Sequence, residues 1–385
     1  MFALRPALLA LALAGAALNT HAATPPVTEA AVVSHYAELV YANYSDALAG
    51  ARAVQAAVQR FVAAPSAEGL VAARRAWLAA REAYGQTEAF RFYAGPIDAE
   101  DGPEGRINAW PLDESYIDYV KGKPKAGIIN DPRVTISADN LARLNEKGGE
   151  ENVATGWHAI EFLLWGQDFS KDGPGNRPYT DYVDGGGAPN PERRRLYLAT
   201  VADLLVADLD SVTRAWTPGV ADNYRARFVA EPPRASLKKI LIGLGSLSRA
   251  ELAGERMEVA LDNRDQEDEH SCFSDNTHRD IVANASGIRN VYSGRYTRAD
   301  GSVLEGPGVQ ALLATVDAPL AERLGREIDA AVVDAAAIHA PFDREIVNPA
   351  GRKRVAATVK ALKVQTATLV QAARALGIPS LNVSG

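Results

Sequence analysis

The sequence predicts an all-α protein built as two helical bundles. Apolar residues recur every three or four positions along most of the chain, the spacing of a buried helix face. Alanine, the strongest helix former, is abundant, and no run alternates with the period of a strand. At 385 residues the chain suffices for one large or two medium cores.

The first 23 residues, "MFALRPALLALALAGAALNTHAA", read as a cleavable signal peptide. Arg5 precedes an apolar run from Ala7 to Leu18, and small residues follow at Ala22 and Ala23. The run is short for a membrane span, so the mature chain is expected to be periplasmic or secreted, without a transmembrane segment. No cysteine near the cleavage site offers a lipid anchor.

Residues 27–64 form the first predicted helix, with Tyr36, Leu39, Val40, Tyr44, Leu48, Ala51, Val54, Val58 and Phe61 on one stripe, and Pro65–Ser66 ends it. A second helix follows through "GLVAARRAWLAAREAYGQTEAFRF". Loops and short turns rich in Gly and Pro lead to a motif helix over residues 150–167. Residues 168–192, "DFSKDGPGNRPYTDYVDGGGAPNPE", read as a linker or excursion. Helical periodicity then resumes through Leu198–Trp216 and Leu237–Leu247. It closes in a seam from Val355 to Leu376 with alternating steps of four and three. The expected organisation is a signal peptide (1–23), an N-terminal bundle (24–167), the linker (168–192) and a C-terminal bundle (193–385). The two halves look faintly alike, as an ancient duplication would leave them.

Apolar residues at 47% and charged residues at 23% are ordinary for a soluble globular protein. The net charge of −7 argues against a nucleic-acid or anionic-membrane partner. Cys272 is the lone cysteine, which excludes an intramolecular disulfide and points to a buried thiol.

Within "GWHAIEFLLWG" (156–166), His158 and Glu161 interrupt an otherwise apolar helix. Three residues apart, they share one face and can reach one ion. The alternative is a core histidine bonded to its own glutamate; the spacing alone leaves the two readings even. A second cluster, "EDEHSCFSDNTHRDI" (267–281), repeats the acid/histidine spacing in Glu267/His270 and Asp275/His278, with His270 the better-placed further ligand. His278 reads rather as part of a polar loop with a helix cap. Glu88, Asp113 and Glu251 are further oxygen donors by type, each also readable as a structural ion pair or surface charge. No HExxH, phosphate loop, GxSxG or CxxC is present.

"GWHAIEFLLWGQD" resembles the imelysin family through the GxHxxE pattern of Gly156, His158 and Glu161. "GPGNRPYTDY", "RAELAGERM" and "EHSCFSDNTHRDIVANASGIRNVYSGRY" are also similar to segments of that family. The resemblance spans essentially the mature chain. It implies two helical bundles with the motif near their interface, Gly156 as a packing position, and His158 and Glu161 as metal ligands. It further implies an exported bacterial protein tied to iron, with an outer- or inner-membrane iron-uptake component as partner.

Two readings follow. In the favoured one, the protein binds a divalent metal, iron first and zinc second, and serves iron acquisition or homeostasis. In the other it is a metal-dependent peptidase of the insulin-cleaving imelysin type. A hydrolytic zinc site usually has three protein ligands and a nearby base, and the sequence spaces only two. A haem- or protein-binding helical module is a weaker third reading, without a CxxCH attachment motif. In the favoured reading the His–Glu pair lies in a partly solvated cleft.

Overall fold

The computed structural model describes residues 27–383 apart from residue 171. The expected signal peptide and its cleavage site lie outside these residues. The first helix, Glu29–Ala63, begins where the Thr28 side chain accepts the Ala31 N–H at 3.2 Å. Ser66 caps the second, Ala67–Tyr84, by accepting from Gly69 N at 3.0 Å. These caps explain why Pro65–Ser66 separates two helices that pack side by side.

The motif helix runs from Gly156 to Trp165, and every one of its residues is buried. Helix Pro191–Ala215 packs against both Glu29–Ala63 and the motif helix, so the chain after the 168–192 excursion first returns to the N-terminal set. A second set comprises Pro233–Ser246, its continuation Leu247–Glu258, Thr277–Ser293, Ala318–Ala336 and Pro349–Ala375. The Leu247–Glu258 continuation is a π-helix, a widened form of helix often found at functional segments.

Strand structure among the described residues is slight: Arg295–Thr297 pairs antiparallel with Val303–Glu305. The fold is all-α, as the periodicity predicts. One buried apolar cluster runs through both helix sets, from Val32 to Ile378. No helix among the described residues is long and apolar enough to cross a membrane.

Candidate functional site

Gly156 sets the start of the motif helix. Its φ is +84°, and a Cβ there would lie 2.5 Å from the Ile107 carbonyl oxygen; only glycine takes that backbone conformation and that approach without strain. Beside it, the Thr155 hydroxyl donates to the Arg106 carbonyl at 3.0 Å. The helix is thereby held against the segment that carries Asn108.

His158 and Glu161 then meet on one face, with Nδ1 and Oε2 2.8 Å apart. Their side chains are 2% and 0% exposed, so the pair lies in the core rather than in a solvated cleft. The cause is the company of the helix: Trp157, Ile160, Phe162, Leu163 and Leu164 are all fully buried around them. Glu161 Oε1 accepts two bonds from Ser274, from the backbone N–H at 2.9 Å and the hydroxyl at 2.7 Å. Burial pushes the Glu161 carboxyl up to about 8 despite those donors. Burial, with Arg81 second, holds His158 well below the ordinary histidine range. The two shifts agree on a pair with no net charge at neutral pH. His158 Nε2 is buried without a hydrogen-bond partner.

His270 comes to the same place from the second helix set. Its ring centroid is 4.7 Å from that of His158, and Trp110 stands edge-on to it at 5.2 Å. Its nitrogens face other groups: Nδ1 is 3.2 Å from Asp280 Oδ2 and 3.4 Å from Arg81 Nη2, and Nε2 is 3.4 Å from Asn108 Nδ2. Arg81 donates to Asp280 at 3.1 Å and to Asn108 at 2.7 Å. Burial alone would raise the Asp280 carboxyl, but Arg81, His270 and Ser271 hold it far below the carboxylate range. Burial, then Arg256, lowers His270 well below its ordinary value, against the pull of Asp280.

The further oxygen candidates lie elsewhere. Glu88 and Glu251 both accept from Arg256, at 2.7 and 2.8 Å, and Glu88 also accepts from Arg91 at 2.7 Å. Burial opposes their ionisation, yet the arginines bring Glu88 down to about 2 and lower Glu251. Asp113 caps the turn Glu114–Ile117, accepting from Ser115 N at 2.9 Å. Among the described residues, no group of three or more His, Cys, Asp or Glu side chains is arranged to hold a metal ion. The donors therefore do not fit a closed, resident metal centre. What they provide is one imidazole nitrogen, Nε2 of His158, buried without a hydrogen-bond partner, with the Glu161 carboxyl at the other ring nitrogen.

Arg81, Asn108, Ser274 and Asp280 complete this arrangement, and the acid/histidine spacing did not single them out. The signal lay in their types: an arginine and an aspartate on the apolar faces of helices must find partners.

The model of the family described as Imelysin (peptidase M75) matches residues 40–369. The chain is 25% identical over 350 residues to "Iron-regulated protein A" of Synechococcus elongatus, covering 89% of this chain and 85% of that protein. Among solved structures it is similar to one from Parabacteroides distasonis, described as a candidate iron-regulated protein A precursor. That match has a TM-score of 0.67 and 19% identity, over 90% of this chain and 97% of the other. An imelysin-like protein from Psychrobacter arcticum matches with a TM-score of 0.64 and 17% identity, over 93% and 97% of the two chains.

Proposed function

The chain belongs to the imelysin family, and on that premise we propose that it is an exported iron-handling protein that takes up its ion through His158. The observation that carries this reading is the unpartnered, buried Nε2 of His158, with Nδ1 fixed on Glu161. A histidine that ligates a metal commonly gives its other N–H to a carboxylate, which sets the tautomer and strengthens the donor. In that role Glu161, neutral in the empty site, gives up its proton as the ion arrives, accepts the Nδ1–H of His158 and so turns the lone pair of Nε2 to the ion, while the two Ser274 donors fix the carboxylate.

Iron is here the cargo rather than a resident cofactor. A resident zinc or iron centre gathers three or four convergent protein donors; a single open imidazole suits an ion that arrives with ligands of its own and leaves again. The iron-regulated relative supports iron over zinc. The same donor count supports binding over the peptidase alternative, in which several ligands would hold an ion beside an activated water.

The test is anaerobic titration of the whole protein with ferrous iron. His158→Ala is expected to abolish binding, and Glu161→Gln to weaken it by about 10- to 100-fold, the usual effect of removing an orienting carboxylate. Unchanged affinity in His158→Ala would refute the assignment.

A further inference from the structure

His158 is buried, with its Nε2 shut off from solvent, so an ion reaches it when part of the structure moves aside. The segment from Ala109 to Leu112 has the properties of that part. We propose that Trp110 is the gate of the His158 site: its indole closes the way to the two histidine rings and swings out to admit the ion. The role presupposes His158 as an ion ligand, as proposed above, and adds the residue that governs entry.

The ring contacts run in a line from the surface inward. Trp110 is partly exposed, and Pro111 beside it is exposed. The indole centroid lies 5.2 Å from that of His270, and the His270 centroid lies 4.7 Å from that of His158. The polar groups against His270, namely Arg81, Asn108 and Asp280, are each 1% exposed, and Arg81 bonds both of the others. Around His158, the apolar residues of the motif helix are fully buried. Trp110 is therefore the member of this surround that meets solvent.

Packing alone holds it there. Ala109, Trp110, Pro111 and Leu112 make no hydrogen bond to any other described residue, by backbone or by side chain. Leu112 packs on the core, and the indole packs on His270. The chain on either side is fixed: Asn108 accepts from Arg81 at 2.7 Å, and Asp113 N donates to the Glu151 carbonyl at 2.8 Å. A stretch of this kind, free of hydrogen bonds between two anchored ends, opens locally without unfolding its neighbours.

The experiment is labelling of the whole protein, without iron, by diethyl pyrocarbonate, which acylates neutral imidazole, read residue by residue by mass spectrometry. A covered ring is labelled in proportion to the time its cover stands open. Trp110→Ala is expected to speed labelling of His270 and His158 by about tenfold or more, and Trp110→Phe by a smaller factor. His35, also buried but in the first helix, is the internal control and should keep its wild-type rate. Stopped-flow mixing with ferrous iron should show Trp110→Ala raising the association and dissociation rates alike with little change in affinity, because a gate lies on the route and not in the bound state. Wild-type labelling of His270 and His158 in Trp110→Ala would overturn the proposal, as would equal acceleration at His35. If Trp110→Ala loses its cooperative melt, the same criteria apply to Trp110→Phe. Failure of wild type to bind iron would refute the ion reading instead, and the labelling rates would still decide whether Trp110 is the gate.

Discussion

At neutral pH the Glu161 carboxyl, raised to about 8 by burial, and the His158 imidazole, lowered by burial, carry no net charge between them. Folding stability registers both shifts with opposite signs. Folded Glu161 keeps its proton to about pH 8, whereas the unfolded chain releases it near its ordinary value of about 4.3, so stability falls as pH rises across that window. Folded His158 stays neutral while the unfolded chain binds a proton below about 6.5, so its contribution is lost as pH falls. The two slopes oppose one another below about pH 6.5, and from there to about 8 the Glu161 slope stands alone within the pair. Asp275 and Glu267, both near 7, add slopes of the same sign, which cancel when wild type is compared with a Glu161 variant. Glu161→Gln should therefore flatten the decline by up to about 1.4 kcal/mol per pH unit. Urea unfolding at pH 6.5, 7.25 and 8 measures it; parallel profiles for the two proteins would show that Glu161 does not titrate there.

Within the motif helix, the first turn bears the tightest constraint. Gly156 combines a positive φ with a carbonyl where its Cβ would stand, so Gly156→Ala should cost more than about 1 kcal/mol, the threshold for alanine at an incompatible backbone position. It should also loosen the region between Ile107 and His158, which hydrogen exchange of the Trp157–Ile160 amides would register as faster exchange. Wild-type exchange in a destabilised variant would place the strain elsewhere. The helix itself was legible in the sequence because its apolar run and its bounding glycines are local signals. So were Glu29–Ala63 and Pro349–Ala375, whose stripes extend over many turns. The π-helical stretch Leu247–Glu258 was not, because its buried residues Leu247, Leu252 and Met257 recur every five positions, outside the steps of three and four that mark an ordinary helix. Ser274 was not either: it bonds Glu161 across 113 positions, and a serine beside a histidine-rich segment has no pattern of its own. Spacing did bring His158 and His270 forward. It could not reveal that Asp280, Arg81 and Asn108 engage the His270 nitrogens, since those contacts are made by three separate segments.

Across the whole molecule, the same buried groups join the two helix sets. Arg81 from the second helix meets Asp280 from Thr277–Ser293, both about 1% exposed, at 3.0 Å. Nearby, Glu88 meets Arg256 at 2.7 Å in the same burial. The sets are thus held by charges as well as by one continuous apolar core, and the charges tolerate no half measures. Removing one member of a buried pair leaves the other uncompensated, at about 3–5 kcal/mol, whereas replacing both with apolar residues of similar volume is often close to neutral. Asp280→Asn should accordingly lose several kcal/mol, because Arg81 keeps its charge and His270 its desolvated ring. Arg81→Met combined with Asp280→Leu should recover much of that loss. The residual would come from Asn108, which Arg81 also bonds, and from Ser271, whose hydroxyl donates to Asp280. Urea unfolding of the single and double variants gives the coupling between the two positions, expected to exceed about 1 kcal/mol for residues in direct contact. Losses that simply add would mean that Arg81 and Asp280 are stabilised independently, and that the apolar core alone joins the two sets of helices.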